Sequence, residues 1–161
     1  RVDMGKAEFS PVCIPVLLDG DAVIGREVAV GGQKCAITCV SMGNPHCVIF
    51  VGDVDSLDIE RIGPEWEHAP IFPDRVNTEF VQVVDGKTLK ARVWERGSGE
   101  TLACGTGACA SVAAAAANGF CGREEDVRVM LRGGDLVVRY TKETVFMTGN
   151  AEKVFEGVVS I

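Results

Sequence analysis

Short runs of β-branched and apolar residues, punctuated by Gly, Asp and Asn, fill most of the chain. The pattern predicts strands over Val12–Leu18, Ala22–Val30, Gln33–Ser41, His46–Val51, Asn77–Val84, Thr88–Glu95, Val127–Leu131, Leu136–Thr141, Thr144–Thr148 and Lys153–Ile161. "DGD" at 19–21, "VDGKT" at 84–88 and "RGGDL" at 132–136 read as hairpin turns, because Gly adopts positive φ without steric cost. Two stretches read as helix. "DSLDIERIGPEWEH" (55–68) is short and polar, with a break expected at Gly63-Pro64. Thr106–Asn118 is rich in Ala, the strongest helix former, and Asn118-Gly119 closes it. This second helix has no polar face, so it is expected to be buried. The predicted fold is α+β: a mostly antiparallel or mixed sheet curled as a barrel around a central buried α-helix, in a single domain over residues 1–161. No alternating βαβ pattern or parallel sheet is predicted.

Composition narrows the function. Hydrophobic residues make up 47% of the 161, enough for a real core, and a net charge of -7 argues against a nucleic-acid partner. No apolar run is long enough to span a membrane, and "RVDMGKAEFSPVC" lacks the apolar segment of a signal peptide. The expectation is a cytoplasmic protein with no membrane partner. Seven irregularly spaced cysteines, several inside apolar strand-like runs, fit free buried thiols in a reducing compartment. The first residue is Arg1, which suggests a processed product or a piece of something longer.

The chemistry concentrates in "ERGSGETLACGTGACASVAAAAANGF", residues 95–120. Cys104 precedes Gly105-Thr106-Gly107 at the mouth of the Ala-rich helix. The first N–H groups of a helix lack internal partners and carry partial positive charge. A thiol there is expected to have its pKa lowered into the range of roughly 3.5–7.5. The same N–H groups can seat a carboxylate. Glu95-Arg96 lies just upstream, "GNPH" (43–46) joins two strand-like runs, and "RVNTEF" (75–80) puts Asn77 at a strand start. Other readings use the same residues. A thiol hydrolase would pair Cys104 with His46 or His68. A zinc site would draw on Cys35, Cys39, His46 and Cys47, at loose spacing. His68 otherwise reads as a solvated helix end, and Trp66 and Trp94 as packing anchors.

"GNPHCVIFV", "RVNTEFVQVV" and "ARVWERGSGETLACGTGACASVAAA" together resemble the diaminopimelate epimerases, and the likeness runs in order from Val2 to the C-terminus. The related proline racemases and phenazine-type isomerases differ around the cysteine. The resemblance implies epimerisation of LL-diaminopimelate to meso-diaminopimelate, in lysine and peptidoglycan-precursor biosynthesis. It implies no cofactor, neither PLP nor metal. One cysteine, as thiolate, removes the α-proton, and a second delivers a proton to the opposite face. Carried over, Cys104 is one of the pair, Glu95 and His46 are catalytic, and Arg96 grips a carboxylate. Gly105 and Thr106 offer backbone N–H groups, and Asn44, Asn77 and Glu95 bind the substrate. The family has two similar halves, each with one cysteine. The Cys-Gly-Asn-Gly motif of the first half does not occur here. The chain is therefore expected to be the second half, inactive alone, with the N-terminal half of the same enzyme as partner and a homodimer as a further option. The alternatives are another PLP-independent isomerase of the same fold, or a non-catalytic half-domain that binds an amino acid or a partner.

Overall fold

The computed structural model describes residues 1–159. Its strands are β1 (Val2–Asp3), β2 (Arg26–Val30), β3 (Gln33–Ser41), β4 (Pro45–Phe50), β5 (Asn77–Asp85), β6 (Thr88–Glu95), β7 (Gly99–Thr101), β8 (Asp126–Leu131), β9 (Gly134–Tyr140) and β10 (Val145–Thr148). Its helices are α1 (Ile59–Glu67) and α2 (Gly105–Ala117). All strands join one sheet in the order β1-β10-β9-β8-β6-β5-β4-β3-β2, with β7 added beside β6.

That order corrects the expected barrel. The sheet ends at β1 and β2, which do not pair, so it is open. The central helix was correctly expected. Gly107–Ala115 of α2 are buried, and α2 packs against β3, β4, β5, β6, β8, β9 and β10. Methyl-sized side chains let strands approach it from almost every side. The sheet thus wraps the helix without closing.

Two strand pairs are parallel, β4 with β5 and β6 with β8, so of the two expected forms, mostly antiparallel or mixed, the sheet is mixed. Each is bridged by a segment that carries a helix, α1 in the first and α2 in the second. A parallel neighbour cannot be reached by a tight turn, so the helices are the crossovers. The alternation of single residues that marks each strand does not reveal which way its neighbour runs.

Other local differences have simple causes. Val12–Leu18 holds a 3₁₀ turn at Pro11–Cys13 followed by loop, because Pro11 and Pro15 remove ladder donors. "DGD" consequently bends a loop, not a hairpin, whereas the turns at 84–88 and 132–136 do join antiparallel strands. β2 starts only at Arg26. Pro64 lies inside α1, which continues through Gly63-Pro64 without the expected break. β1 and β7 are too short to show a sequence pattern. Residues 153–159 form no strand, and the rest of that predicted strand, 160–161, lies outside the described residues.

The sheet separates two cores. Val40, Val48, Val81, Leu89, Val127, Val129 and Val138 meet the alanines of α2. Ile37, Cys39, Cys47, Ile49 and Phe80 face the other way, toward Trp66 and Phe72. The period of two that builds these faces also decides where the polar residues point. His46 shares its face with Val48, and Glu79 with Val81. Both therefore point toward α2.

Candidate active site

Cys104 is the N-cap of α2. Its extended backbone (φ -130°, ψ 112°) turns into the helix, and its Sγ accepts a hydrogen bond from Gly107 N–H at 3.3 Å. Its carbonyl accepts from Ala108 N–H at 2.9 Å. Thr106 Oγ1 lies 3.5 Å from the sulfur. Among the described residues the Gly105 and Thr106 N–H groups have no hydrogen-bond partner. They are the anion seat expected at the helix start. Gly107 must stay small: a Cβ there would lie 2.7 Å from Glu79 Oε1 and 3.2 Å from the Cys104 sulfur.

The thiol does not behave as helix position alone predicts. Cys104 is only 8% exposed. Burial pushes its pKa above the ordinary thiol value, and the Glu79 and Glu95 carboxylates push it further. Hydrogen bonds from Thr106 and Gly107 oppose that rise without overcoming it. The expected lowering is thus reversed, because desolvation and two nearby acids outweigh the end of the helix. Cys104 rests as a thiol in this chain.

A line of hydrogen bonds leads away from the sulfur. Asn44 Nδ2 donates to Thr106 Oγ1 at 3.3 Å. Asn44 Oδ1 lies 2.9 Å from His46 Nε2, and His46 Nδ1 lies 2.7 Å from Glu79 Oε1. Adjacent β4 and β5 hold the imidazole and the carboxylate in register, with His46 opposite Asn77 and Val48 opposite Glu79. His46 therefore reaches Cys104 only through Asn44 and Thr106. The Cys–His contact that a thiol hydrolase needs is not made. His68 is exposed at the end of α1, with Nδ1 3.0 Å from Pro64 O.

The end of β6 forms the other wall. Asn77 Nδ2 donates to Pro45 O at 2.9 Å, and its Oδ1 accepts from Arg96 N–H at 2.9 Å, so this amide joins the starts of β4 and β5 to the turn after β6. The Arg96 guanidinium donates to Asp74 O at 2.9 Å. Glu95 Oε1 accepts from the Thr101 hydroxyl. Beneath this turn, buried Glu67 of α1 accepts from Trp94 Nε1 at 2.7 Å and from Gly97 N–H at 2.9 Å. Burial opposes its ionisation, but those bonds, with His68 and Arg75, hold its carboxyl below the usual range. Gly63 lets α1 sit on Trp94, since a Cβ there would come within 2.3 Å of the indole.

Glu79 and Glu67 were missed by the sequence reading, as was the Thr106 hydroxyl. The signal for Glu79 was available: an acid at an inward position of a strand, two residues from Val81. Cys39 and Cys47 pair across β3 and β4 within the opposite core, with the His46 ring on the other face. The loose zinc set is therefore split by the sheet. No cluster of three or more metal-ligating side chains occurs among the described residues. An apolar cavity of about 130 Å³ under α1, lined by Cys35, Ile49, Trp66 and Phe80, also lies on that opposite face, away from the thiol.

The family model for diaminopimelate epimerase matches residues 38–154. The chain is 50% identical to a diaminopimelate epimerase of Acetivibrio thermocellus, with 100% of this chain and 58% of that protein covered. It is 52% identical to one of Desulfovibrio desulfuricans, with 97% and 56% covered. The chain thus spans a little over half the length of the curated relatives it matches. A solved structure from Pseudomonas aeruginosa, titled a predicted epimerase, shares the fold at a TM-score of 0.51 and 18% identity, covering 96% of this chain and 58% of that one.

Proposed function

The chain belongs to the diaminopimelate epimerase family, and we propose that it supplies one of two thiols that invert the α-carbon of diaminopimelate without a cofactor. The observation that carries this is the placing of Cys104: a thiol beside two N–H groups at the start of α2 that have no partner among the described residues. A substrate carboxylate seated on Gly105 and Thr106 N–H would put its α-carbon next to the sulfur. The same N–H groups would stabilise the charge that spreads into the carboxylate when the α-proton leaves.

In the forward direction a thiolate takes the α-proton, and a thiol on the opposite face returns one to the same carbon. Each half-step moves one proton between carbon and sulfur. Cys104 rests as a thiol, so it is set to donate, and in the reverse direction its thiolate accepts. Thr106 and Gly107 steady that thiolate by hydrogen bonding. Glu95 receives the substrate ammonium, and its charge near the sulfur keeps Cys104 protonated at rest. Arg96 holds a carboxylate, and Asn44 and Asn77 bind the distal end. The opposing thiol comes from the half of the family's length that the 161 residues do not span. The chain alone is then inactive, and its place is in lysine and peptidoglycan-precursor synthesis.

The test is α-proton exchange. The complete protein, given diaminopimelate in deuterium oxide, incorporates deuterium at the α-carbon, and the 161-residue chain alone does not. Absence of exchange by the complete protein overturns the epimerase reading. Full turnover by the 161-residue chain overturns the two-half reading.

A further inference from the structure

Glu79 is a carboxylate in an apolar interior, 1% exposed, and its only side-chain partner among the described residues is His46. Its second oxygen, Oε2, is buried with no hydrogen-bond partner among them. A buried acid with an unsatisfied oxygen is destabilising unless its charge is compensated. Here compensation comes from the fully buried His46 imidazole and from the positive end of α2, against which Gly107 lets the carboxylate rest.

We propose that Glu79 is a positioning residue for proton transfer at Cys104: it fixes the protons of His46 and thereby the direction of the hydrogen bonds that reach the sulfur. The proposal rests on the reading of Cys104 as an acid–base thiol.

The directions follow from which atoms can donate. Asn44 Oδ1 only accepts, so His46 Nε2 carries a proton and donates it. A second proton lies between His46 Nδ1 and Glu79 Oε1. Asn44 Nδ2 donates to Thr106 Oγ1, which leaves the Thr106 hydroxyl proton free to point at the sulfur. This arrangement favours a thiolate. If the Asn44 amide turns over, every bond between His46 Nε2 and the sulfur reverses. Nδ2 then donates to a bare Nε2, Oδ1 accepts from the Thr106 hydroxyl, and the Cys104 thiol donates to Thr106 Oγ1. The first arrangement has one more proton on the His46–Glu79 pair and one fewer on Cys104 than the second. The total is unchanged. The pair can therefore balance the gain or loss of a proton at Cys104 without leaving a lone buried charge. A neutral residue at 79 cannot, because the doubly protonated imidazole would then be buried uncompensated.

The charged or titratable groups around the sulfur are Glu79 from β5, Glu95 from β6 and Cys109 from α2, with His46 of β4 reached through Asn44 and Thr106. Two readouts test the role of Glu79 in the chain itself. The protein has only two histidines, and one of them, His68, is exposed, so ¹⁵N NMR assigns the ring nitrogens of His46 directly. In the wild type Nδ1 carries a proton directed at Glu79. In Glu79→Gln, Nδ1 becomes bare and Nε2 carries the proton. In the same variant the pH midpoint of site-resolved Cys104 alkylation rises by about half a unit or more, because the pair can no longer take up the proton that balances the thiolate; a fall would mean that Glu79 acts on the sulfur only as a repelling charge, and overturns the proposal. Glu79→Asp restores both. A role in packing alone would lower the melting temperature and leave the ring nitrogens and the midpoint unmoved, which overturns the proposal. If Glu79→Gln does not fold, Gly107→Ala serves: its methyl displaces the carboxylate without removing it, and the same loss of the Nδ1 proton is expected. A bare Nδ1 in the wild type also overturns the proposal. Neither readout measures turnover, so a complete protein that exchanges no α-proton would refute the epimerase reading and leave these results to decide on Glu79.

Discussion

Cys104 and Cys47 are both buried and both free, and desolvation lifts the pKa of each above the ordinary thiol value. They nonetheless sit in opposite settings. Cys47 faces Cys39 across β3 and β4, and every charge that reaches it raises its pKa further. Nothing near it helps a negative sulfur. Cys104 receives the same burial penalty, but Thr106 and Gly107 direct protons at it, and two free N–H groups stand alongside. Burial is therefore common to both thiols. What sets Cys104 apart is the presence of donors for the anion, together with room beside it for a second anion.

The largest effect should separate the two thiols by activity. Cys104→Ala in the complete protein is expected to lower turnover about a thousandfold, the typical contribution of one acid–base group. Cys47→Ala is expected to keep turnover per folded molecule and to lose about 1–2 kcal/mol of stability, as small core deletions do. Steady-state rates and urea unfolding of both variants measure this. Similar losses of activity at the two positions would remove the distinction.

Much of this contrast was legible in the sequence, because it depends on local patterns. Cys104 before Gly105-Thr106-Gly107 marks a helix mouth, and Cys35, Cys39 and Cys47 lie in alternating apolar runs. β3 and β6 have the bounds that alternation predicts, Gln33–Ser41 and Thr88–Glu95. Three things were not legible, and each depends on distant partners. The parallel pairs β4–β5 and β6–β8 depend on how the crossovers fold back. The open edge of the sheet depends on β1 and β2 failing to meet. The sign of the Cys104 shift depends first on the burial that the folded sheet imposes, and then on Glu79, 25 positions earlier in the chain, arriving beneath the helix end. A helix mouth read in isolation gives the opposite sign.

A second effect, of intermediate size, appears in stability against pH. The folded-state pKa of Cys47 is raised well above its ordinary value of 9.0, and burial pushes Cys109 up to about 12. A raised folded pKa contributes stability that is fully present below the unfolded pKa and is lost as pH rises through the folded one. The protein should therefore weaken steadily above about pH 9. Cys47→Ala should flatten that decline, although it lowers stability at neutral pH. Urea midpoints measured at about pH 8 and pH 10 test this. Parallel declines in variant and wild type would show that Cys47 is not the group that ionises.

The smallest effect isolates the donors themselves. Thr106→Val keeps the size of the side chain and the backbone N–H groups but removes the hydroxyl that faces the sulfur. A hydrogen bond to a charged group contributes about 1.5–3 kcal/mol. At 3.5 Å the one to sulfur sits at the weak end, so the Cys104 pH midpoint should rise by no more than about one unit. Cys47 should not respond, because no part of its surroundings changes. Alkylation resolved by site gives both numbers from one sample, with exposed Cys13 as the internal reference. A rise at Cys104 alone ties its chemistry to Thr106. A midpoint that stays in place would mean that Gly107 N–H alone steadies the thiolate, and that the line of bonds through Asn44 ends one atom short of the sulfur.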